Sequence, residues 1–138
     1  MPARLQERRS TLADESAFTL IELLVVLIII GVLLAIAVPS YLGFKQKAEQ
    51  TAAMSDVREA IPSAEAYYSD NADSYNGISI GGLQTYDNGV STNIQTVKSE
   101  NSDTGYCISA KVGSSWAHVD GPGGQVSADG QAAADPCP

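Results

Sequence analysis

An apolar run from Phe18 to Val38 constrains this chain more than any other feature, because its 21 residues include a single charge, that of Glu22. At ~1.5 Å per residue, a helix of this length is about 31 Å long and matches the hydrocarbon core of a bilayer. The run therefore predicts a helix that can span a membrane. The alternative is a secretory signal cleaved before Val38, after the small residues Ala35 and Ala37.

The polar segment 1–17 precedes this run and contains three of the eight basic residues of the chain, Arg4, Arg8 and Arg9. Orientation in a membrane follows the lysines and arginines of short flanking segments more than net charge. Lys45 and Lys47 lie beyond the run, but the three arginines favour a cytoplasmic N-terminus. We therefore expect the C-terminal part of the chain to lie outside the cytoplasm.

The remaining composition excludes several classes of function. The net charge is −8, and few basic residues follow the run, so we expect no contact with nucleic acid. Cys107 and Cys137 form no CxxC or CxxCH motif, and the chain has one histidine, so neither a zinc nor a haem site is indicated. A disulfide formed outside the cytoplasm is the better interpretation, and we expect neither a cofactor nor a metal ion.

Glu22 lies near the start of the apolar run, where a carboxylate is costly. On insertion scales, a charge at the centre of a spanning helix costs about 2.5 to 3.5 kcal/mol, and less near an interface. No lysine, arginine or histidine occurs between Arg9 and Lys45, so the span itself supplies no cation. Either the side chain reaches the headgroups or is protonated, or another molecule provides a partner.

The sequence AFTLIELLVVLIIIGVLLAIAVPSY, residues 17–41, resembles the N-terminal signature of type IV pilins and of the related type II secretion pseudopilins. The resemblance implies that a prepilin peptidase cuts between Ala17 and Phe18 and that the new amine of Phe18 is methylated. Glu22 is then the fifth mature residue, as in the family. The implied partner of Glu22 is the Phe18 amine of a neighbouring subunit, so that assembly neutralises both charges.

Gly31, Pro39 and Tyr41 extend the resemblance, because they match the family's helix glycine, its proline after the apolar run and the aromatic residue beyond it. The family's filaments commonly unwind the helix between this glycine and this proline. Glycine costs about 1 kcal/mol relative to alanine in a helix, and proline removes one backbone hydrogen bond. The resemblance therefore implies an assembly role for Gly31 and Pro39. Ala17 departs from the family, most of which has glycine before the cut.

Residues 39–69 are predicted to continue the helix as an amphipathic second half. Apolar residues recur at alternating spacings of four and three and predict one buried face, formed by Ala53, Val57, Ala60, Ala64 and Tyr67. Pro62 should bend this helix without ending it, because the pattern continues to Tyr68. The polar residues 69–73 then end the helix. With the apolar run at 18–38, it would contain about 50 residues.

Residues 70–138 are predicted to form a globular head. The glycines between Asp70 and about Val90 indicate an irregular loop. Three strands of a small antiparallel sheet are then predicted, over residues 92–99, 106–112 and 115–120. The expected fold class is α+β, a pilin fold in which the second half of a long N-terminal helix packs against this sheet. A bond between Cys107 and Cys137 would tie the tail to the sheet, which resembles the C-terminal loop of many major pilins.

Other polar residues of the head favour structural roles. Asp70 and Asp73 lack the spacing of a calcium-binding loop. The tail aspartates are a second calcium hypothesis, because some pseudopilins bind calcium in a C-terminal loop; they are Asp120, Asp129 and Asp135. His118 suggests a hydrolase, but the sequence contains no G-x-S-x-G motif and no second histidine.

The residues and the resemblance together predict a structural subunit rather than an enzyme. After removal of the leader, residues 1–17, the helix is stored in the cytoplasmic membrane, and many copies then form an extracellular filament. Prepilin peptidase and an assembly ATPase are the implied partners. We expect the major pilin of a type IV pilus, or fimbrium, on the bacterial surface. The alternatives are a major pseudopilin of a type II secretion system or competence pseudopilus, and a membrane-anchored extracytoplasmic binding module.

Overall fold

The computed structural model describes residues 18–137, so the predicted leader at 1–17 lies outside the described residues. Two helices are followed by four strands: α1 Leu20–Asp70, α2 Ile80–Tyr86, β1 Ile94–Glu100, β2 Gly105–Val112, β3 Ser115–Gly121 and β4 Ser127–Gly130. Contacts divide the chain into two units, of which the first ends at Ser40 and the second begins at Tyr41.

Helix α1 contains 51 residues and has its predicted extent to within two residues at the N-terminus. Pro39 and Pro62 each remove a backbone donor, yet the helix continues through both. It ends at Asp70 because Ala72 and Asp73 have φ angles of 55° and 56°, which belong to the left-handed region that a right-handed helix cannot include.

The core of the second unit lies on the predicted face of α1. Ala53, Val57, Ala60 and Ala64 are completely buried there. They belong to one apolar cluster with residues of the sheet, including Ile108 and Val119. Small side chains at most of these helix positions let the helix backbone approach the sheet closely. The expected α+β fold, with a long N-terminal helix and a small antiparallel sheet, is confirmed.

The sheet is an antiparallel meander with strand order β1-β2-β3-β4. Its core-facing pairs across β2 and β3 are Ile108 opposite Val119 and Ala110 opposite Ala117, and all four residues are buried. The three predicted strands correspond to β1, β2 and β3. Strand β4 was not predicted, because its sequence, SADG, has neither apolar alternation nor β-branched residues. It forms by pairing with β3.

The predicted irregular loop between Asp70 and Val90 is wrong in one part, because it contains α2. This helix has two glycines in seven residues and therefore little intrinsic helical preference. Two local contacts stabilise it. The Ser79 side chain caps its start by accepting the Gly82 N–H at 3.2 Å, and Leu83 is completely buried in the core.

The tail after β4 covers the outer face of the sheet. A disulfide joins Cys107 on β2 to Cys137, with a Cα–Cα distance of 5.8 Å. The Thr96 hydroxyl on β1 donates a hydrogen bond of 2.5 Å to Asp135. Burial by itself would raise the pKa of the Asp135 carboxyl, but this bond and one from the Cys137 N–H hold it below its usual value. Asp135 and Cys137 therefore attach the tail to two different strands, β1 and β2.

Glu65 on α1 organises the polar part of the core. Its carboxylate accepts hydrogen bonds from the hydroxyls of Tyr75 and Tyr106, each 3.1 Å long. Burial, together with the nearby Glu65, raises the pKa of Tyr75 to about 12 and also raises that of Tyr106. Both hydroxyls therefore remain donors at any physiological pH, and the glutamate keeps its partners.

Candidate assembly site at the start of the first helix

Thr19 and Glu22 form a reciprocal pair at the N-terminus of α1. The Thr19 hydroxyl oxygen accepts the Glu22 N–H at 3.2 Å. One carboxylate oxygen of Glu22, Oε2, accepts the Thr19 N–H at 3.4 Å and the Thr19 hydroxyl at 3.3 Å. This is a capping box, in which residues three apart satisfy backbone donors that the first turn of a helix leaves free. Glu22 therefore stabilises the start of its own helix.

The capping box uses only half of the Glu22 carboxylate. Within residues 18–137, no hydrogen bond or ion pair reaches its second oxygen, Oε1. The negative charge is thus positioned by Thr19 but not neutralised by the described part of the chain. A cation brought by another molecule can reach the free oxygen without breaking the cap.

The surface around this pair is apolar and exposed. Residues 18–45 are all exposed, including Phe18 at 82% and Ile36 at 71% of their full accessible surface. A shallow apolar concavity on α1 is lined by Leu20, Leu23, Leu24, Leu27 and Ile28. By length and composition the helix could cross a membrane, and its most apolar window is entirely unburied. So large an apolar surface requires lipid or other protein chains to cover it.

The other residues predicted to act in processing and assembly lie at different places along the chain. Phe18 comes two residues before the helix, whereas Ala17 lies outside the described residues, so the cut between them stays a prediction. Gly31 and Pro39 lie within α1, and a side chain added at Gly31 would meet nothing within 4 Å. The glycine therefore leaves open space on the helix, and the structure contains no unwound segment between the two residues.

Comparisons with known proteins agree with this geometry. The family described as the prokaryotic N-terminal methylation motif matches residues 12–38, which include Phe18 and Glu22. The chain is 39% identical over 67 residues to the type II secretion system core protein G of Aeromonas hydrophila. It is 36% identical over 53 residues to the type IV major pilin protein PilA of Myxococcus xanthus. The chain thus carries the N-terminal methylation motif and is similar to a type IV major pilin and to type II secretion core proteins G. Core protein G of Escherichia coli K12 is similarly related, with 40% identity over 57 residues.

These similarities are partial on both sides. They cover 49%, 38% and 41% of this pilin-like chain for the Aeromonas, Myxococcus and Escherichia proteins. The corresponding shares of the relatives are 43%, 24% and 39%, so each match spans less than half of the relative's length. The likeness to these proteins therefore extends over less than half of the chain.

His118 and the tail aspartates form polar contacts rather than a shared site. His118 Nδ1 lies 2.6 Å from Asp129, and its Nε2 lies 3.8 Å from Asp120. Asp135 bonds to Thr96 instead. No cluster of three or more histidine, cysteine, aspartate or glutamate side chains suited to a metal ion occurs in the described part of the chain. Both imidazole nitrogens of His118 face carboxylates, so neither is directed at a serine nucleophile.

Glu49 connects α1 to the turn between β2 and β3. It accepts the Ser114 N–H and the Ser114 hydroxyl, both at 3.2 Å, and lies 3.6 Å from the Lys45 ammonium. Gly113 makes room for this contact, because a side chain there would come within 2.4 Å of the carboxylate. The φ of Gly113, +57°, also lies in the left-handed region, which glycine adopts without strain. The Ser114 N–H bond is the main cause of a lowered pKa for Glu49, while partial desolvation opposes it.

We expect Glu49→Ala to destabilise the head at neutral pH and to matter less in acid. A lowered pKa in the folded state means that the stabilisation is present above the ordinary value of 4.5 and is lost as the pH falls through the folded value. Urea unfolding of the wild type and the variant, from neutral to acid pH, measures the difference in their free energies of unfolding at each pH. Glu59→Ala, on an exposed part of α1, is the control. A difference that is independent of pH would contradict this role for the charge.

Sequence reasoning missed both Thr19 and Glu49. The role of Thr19 could have been predicted, because T-L-I-E has the spacing of a capping box. The apolar residues around it were interpreted only in terms of membrane insertion. The role of Glu49 could not have been predicted, because Glu49 and Ser114 are 65 residues apart in the sequence and only the folded head brings them together.

Proposed function

We propose that this chain is the major structural subunit of a type IV pilus, polymerising through its N-terminal helix after cleavage and methylation at Phe18. One observation carries the proposal. The helix from Leu20 presents an unburied apolar surface, and Glu22 is held at its start with one carboxylate oxygen free. A surface of this kind suits lipid before assembly and neighbouring helices after it.

Removal of the leader supplies the missing cation in this mechanism. Before cleavage, the nitrogen of Phe18 is an uncharged amide; hydrolysis of the bond from Ala17 converts it to an amine that is protonated at neutral pH. The amine of one subunit then pairs with Glu22 of a neighbour, because a charge of either sign is costly in an apolar layer. Cleavage would thus make the subunit competent to assemble. The partners are a prepilin peptidase, an assembly ATPase and further copies of the chain.

The head would lie outside the cytoplasm throughout, first at the membrane surface and later on the filament. The disulfide between Cys107 and Cys137 supports this placement, because such bonds persist in oxidising compartments. The function is structural, and the proposal includes no catalytic step performed by the chain itself.

A major pseudopilin of a type II secretion system is the second candidate. The observation in its favour is that the relatives in Aeromonas hydrophila and Escherichia coli K12 are both core protein G. A competence pseudopilus would use the same helix. The C-terminal disulfide loop favours the pilus, because it resembles the loop of many major pilins.

Purified filaments provide the test. Mass spectrometry of their main subunit should find a chain that begins at Phe18 and carries one N-methyl group. Filaments that extend well beyond the cell surface and disappear when the gene is deleted would support the pilus. Loss of protein secretion without extended filaments would favour the pseudopilin. A subunit that retains residues 1–17, or one that begins near Val38, would contradict both.

A further inference from the structure

The chain contains two asparagine–glycine sequences, Asn76-Gly77 and Asn88-Gly89, and the structure places them in different environments. In such a sequence the backbone nitrogen of the glycine can attack the side-chain carbonyl carbon of the asparagine, because glycine has no side chain to hinder the approach. The product is a cyclic imide. Two conditions favour the reaction: a side chain that is free to rotate and a group that accepts the proton of the glycine nitrogen.

Asn76 fails the first condition. Its side-chain nitrogen donates to Asp103 at 2.8 Å, and its backbone N–H donates to the Ser74 hydroxyl at 3.1 Å. Its backbone carbonyl oxygen accepts the Tyr67 hydroxyl at 2.7 Å and the Asn71 side chain at 3.1 Å. These four bonds fix the side chain and the backbone of Asn76.

Asn88 meets both conditions. It is exposed in the turn between α2 and β1, and across residues 18–137 no hydrogen bond restrains its side chain. The N–H of Gly89 donates to the Asp87 carboxylate at 2.7 Å. A nucleophilic nitrogen attacks along the normal to its peptide plane, whereas its N–H bond lies in that plane. The carboxylate can therefore hold the proton while the nitrogen approaches the Asn88 side chain.

We propose that Asn88 is a site of spontaneous deamidation, with Asp87 as the general base. The bond between the Gly89 nitrogen and Asn88 Cγ forms as the nitrogen gives its proton to Asp87. The bond from Cγ to the side-chain nitrogen then breaks, and that nitrogen takes the proton and leaves as ammonia. Water opens the ring at one of its two carbonyls and gives either aspartate or isoaspartate. No oxidant, metal ion or enzyme is required.

The modification would alter the head locally. Both products add a negative charge to a chain whose net charge is already −8. Isoaspartate also inserts one carbon atom into the backbone, two residues before Val90, which is a buried core residue at 4% exposure. The Val90 N–H closes this turn by bonding to the Asp87 carbonyl at 3.2 Å. A longer backbone cannot keep both that bond and the packing of Val90, so older subunits would be less ordered between α2 and β1.

Ageing of the detergent-solubilised full chain at neutral pH tests the proposal. Peptide mapping by mass spectrometry follows conversion of an amide to an acid at each site, and chromatography separates aspartate from isoaspartate. We expect Asn88 to convert at least about tenfold faster than Asn76, a difference of ~1.4 kcal/mol in the two barriers. Asp103→Ala, which releases the Asn76 side chain, should accelerate conversion at Asn76 alone.

Asp87→Ser tests the base. Serine can still accept the Gly89 N–H and keep the turn, but it is far less basic than a carboxylate. We expect conversion of Asn88 to slow by about tenfold, below the ~100-fold or more that positioned bases give in enzymes. Equal rates at Asn76 and Asn88 in the wild type would overturn the proposed site. An unchanged or faster rate at Asn88 in Asp87→Ser would overturn the role of Asp87.

Discussion

Glu22→Gln is expected to reduce incorporation of the subunit into filaments by at least about a hundredfold while leaving it in the membrane. Breaking a buried ion pair by removing one partner costs about 3 to 5 kcal/mol, and each 1.4 kcal/mol is a factor of ten. Glutamine is the informative replacement, because it also serves in a capping box and so preserves the contacts with Thr19. The variant therefore removes the charge and keeps the helix start.

Thr19→Ala provides the complementary control. It removes the hydroxyl that caps α1 but leaves the Glu22 charge, and loss of such a cap costs about 1 kcal/mol. We expect a smaller reduction, within about tenfold. The measurement is the ratio of filament-incorporated to membrane-held subunit, with cleavage confirmed by mass. If correctly cleaved Glu22→Gln assembles normally, Glu22 is not the assembly contact proposed here. A loss in Thr19→Ala as large as in Glu22→Gln would assign the effect to the cap.

The parts of the fold that were predictable from the sequence are those where burial repeats with a regular period. Ala53, Val57, Ala60 and Ala64 follow the helical period and are completely buried. The central strands were predicted because apolar residues occur at every second position of β2 and therefore lie on one face of the sheet. In both places the local pattern and the tertiary packing require the same residues, so the pattern alone was sufficient.

The parts that were missed depend on contacts between distant residues. Leu83 stabilises a helix that contains two glycines, and strand β4 forms on the edge of β3 without an apolar pattern of its own. Apolar residues at alternate positions of β2 indicate one buried face, yet Cys107 and Ser109 on its other face are also buried. The reason is the tail, which returns across that face. No local pattern in residues 131–137 indicates such a path.

Because the tail lies across the outer face of the sheet, the disulfide that holds it there contributes to the stability of the head. Reduction of the bond between Cys107 and Cys137, which are 30 residues apart, is expected to lower the free energy of unfolding of the head by about 3 to 4 kcal/mol. For a unit of this size, the midpoint of thermal unfolding should fall by on the order of 15 °C. The tail should be affected first, because its other side-chain attachments are the hydrogen bonds from Thr96 to Asp135 and from Gln131 to Ser114.

Trp116 allows this loss to be measured directly. It is the single tryptophan of the chain, lies on β3 with 8% of its surface exposed, and has the Lys111 ammonium 5.0 Å from its ring centre. Its fluorescence should shift toward that of exposed tryptophan when the bond is reduced, before the secondary structure melts. The Cys107→Ala, Cys137→Ala double variant should behave like the reduced wild type and should not respond to reductant. Equal unfolding midpoints for the oxidised and reduced wild type would show that the remaining contacts of the tail, and not the disulfide, stabilise the head.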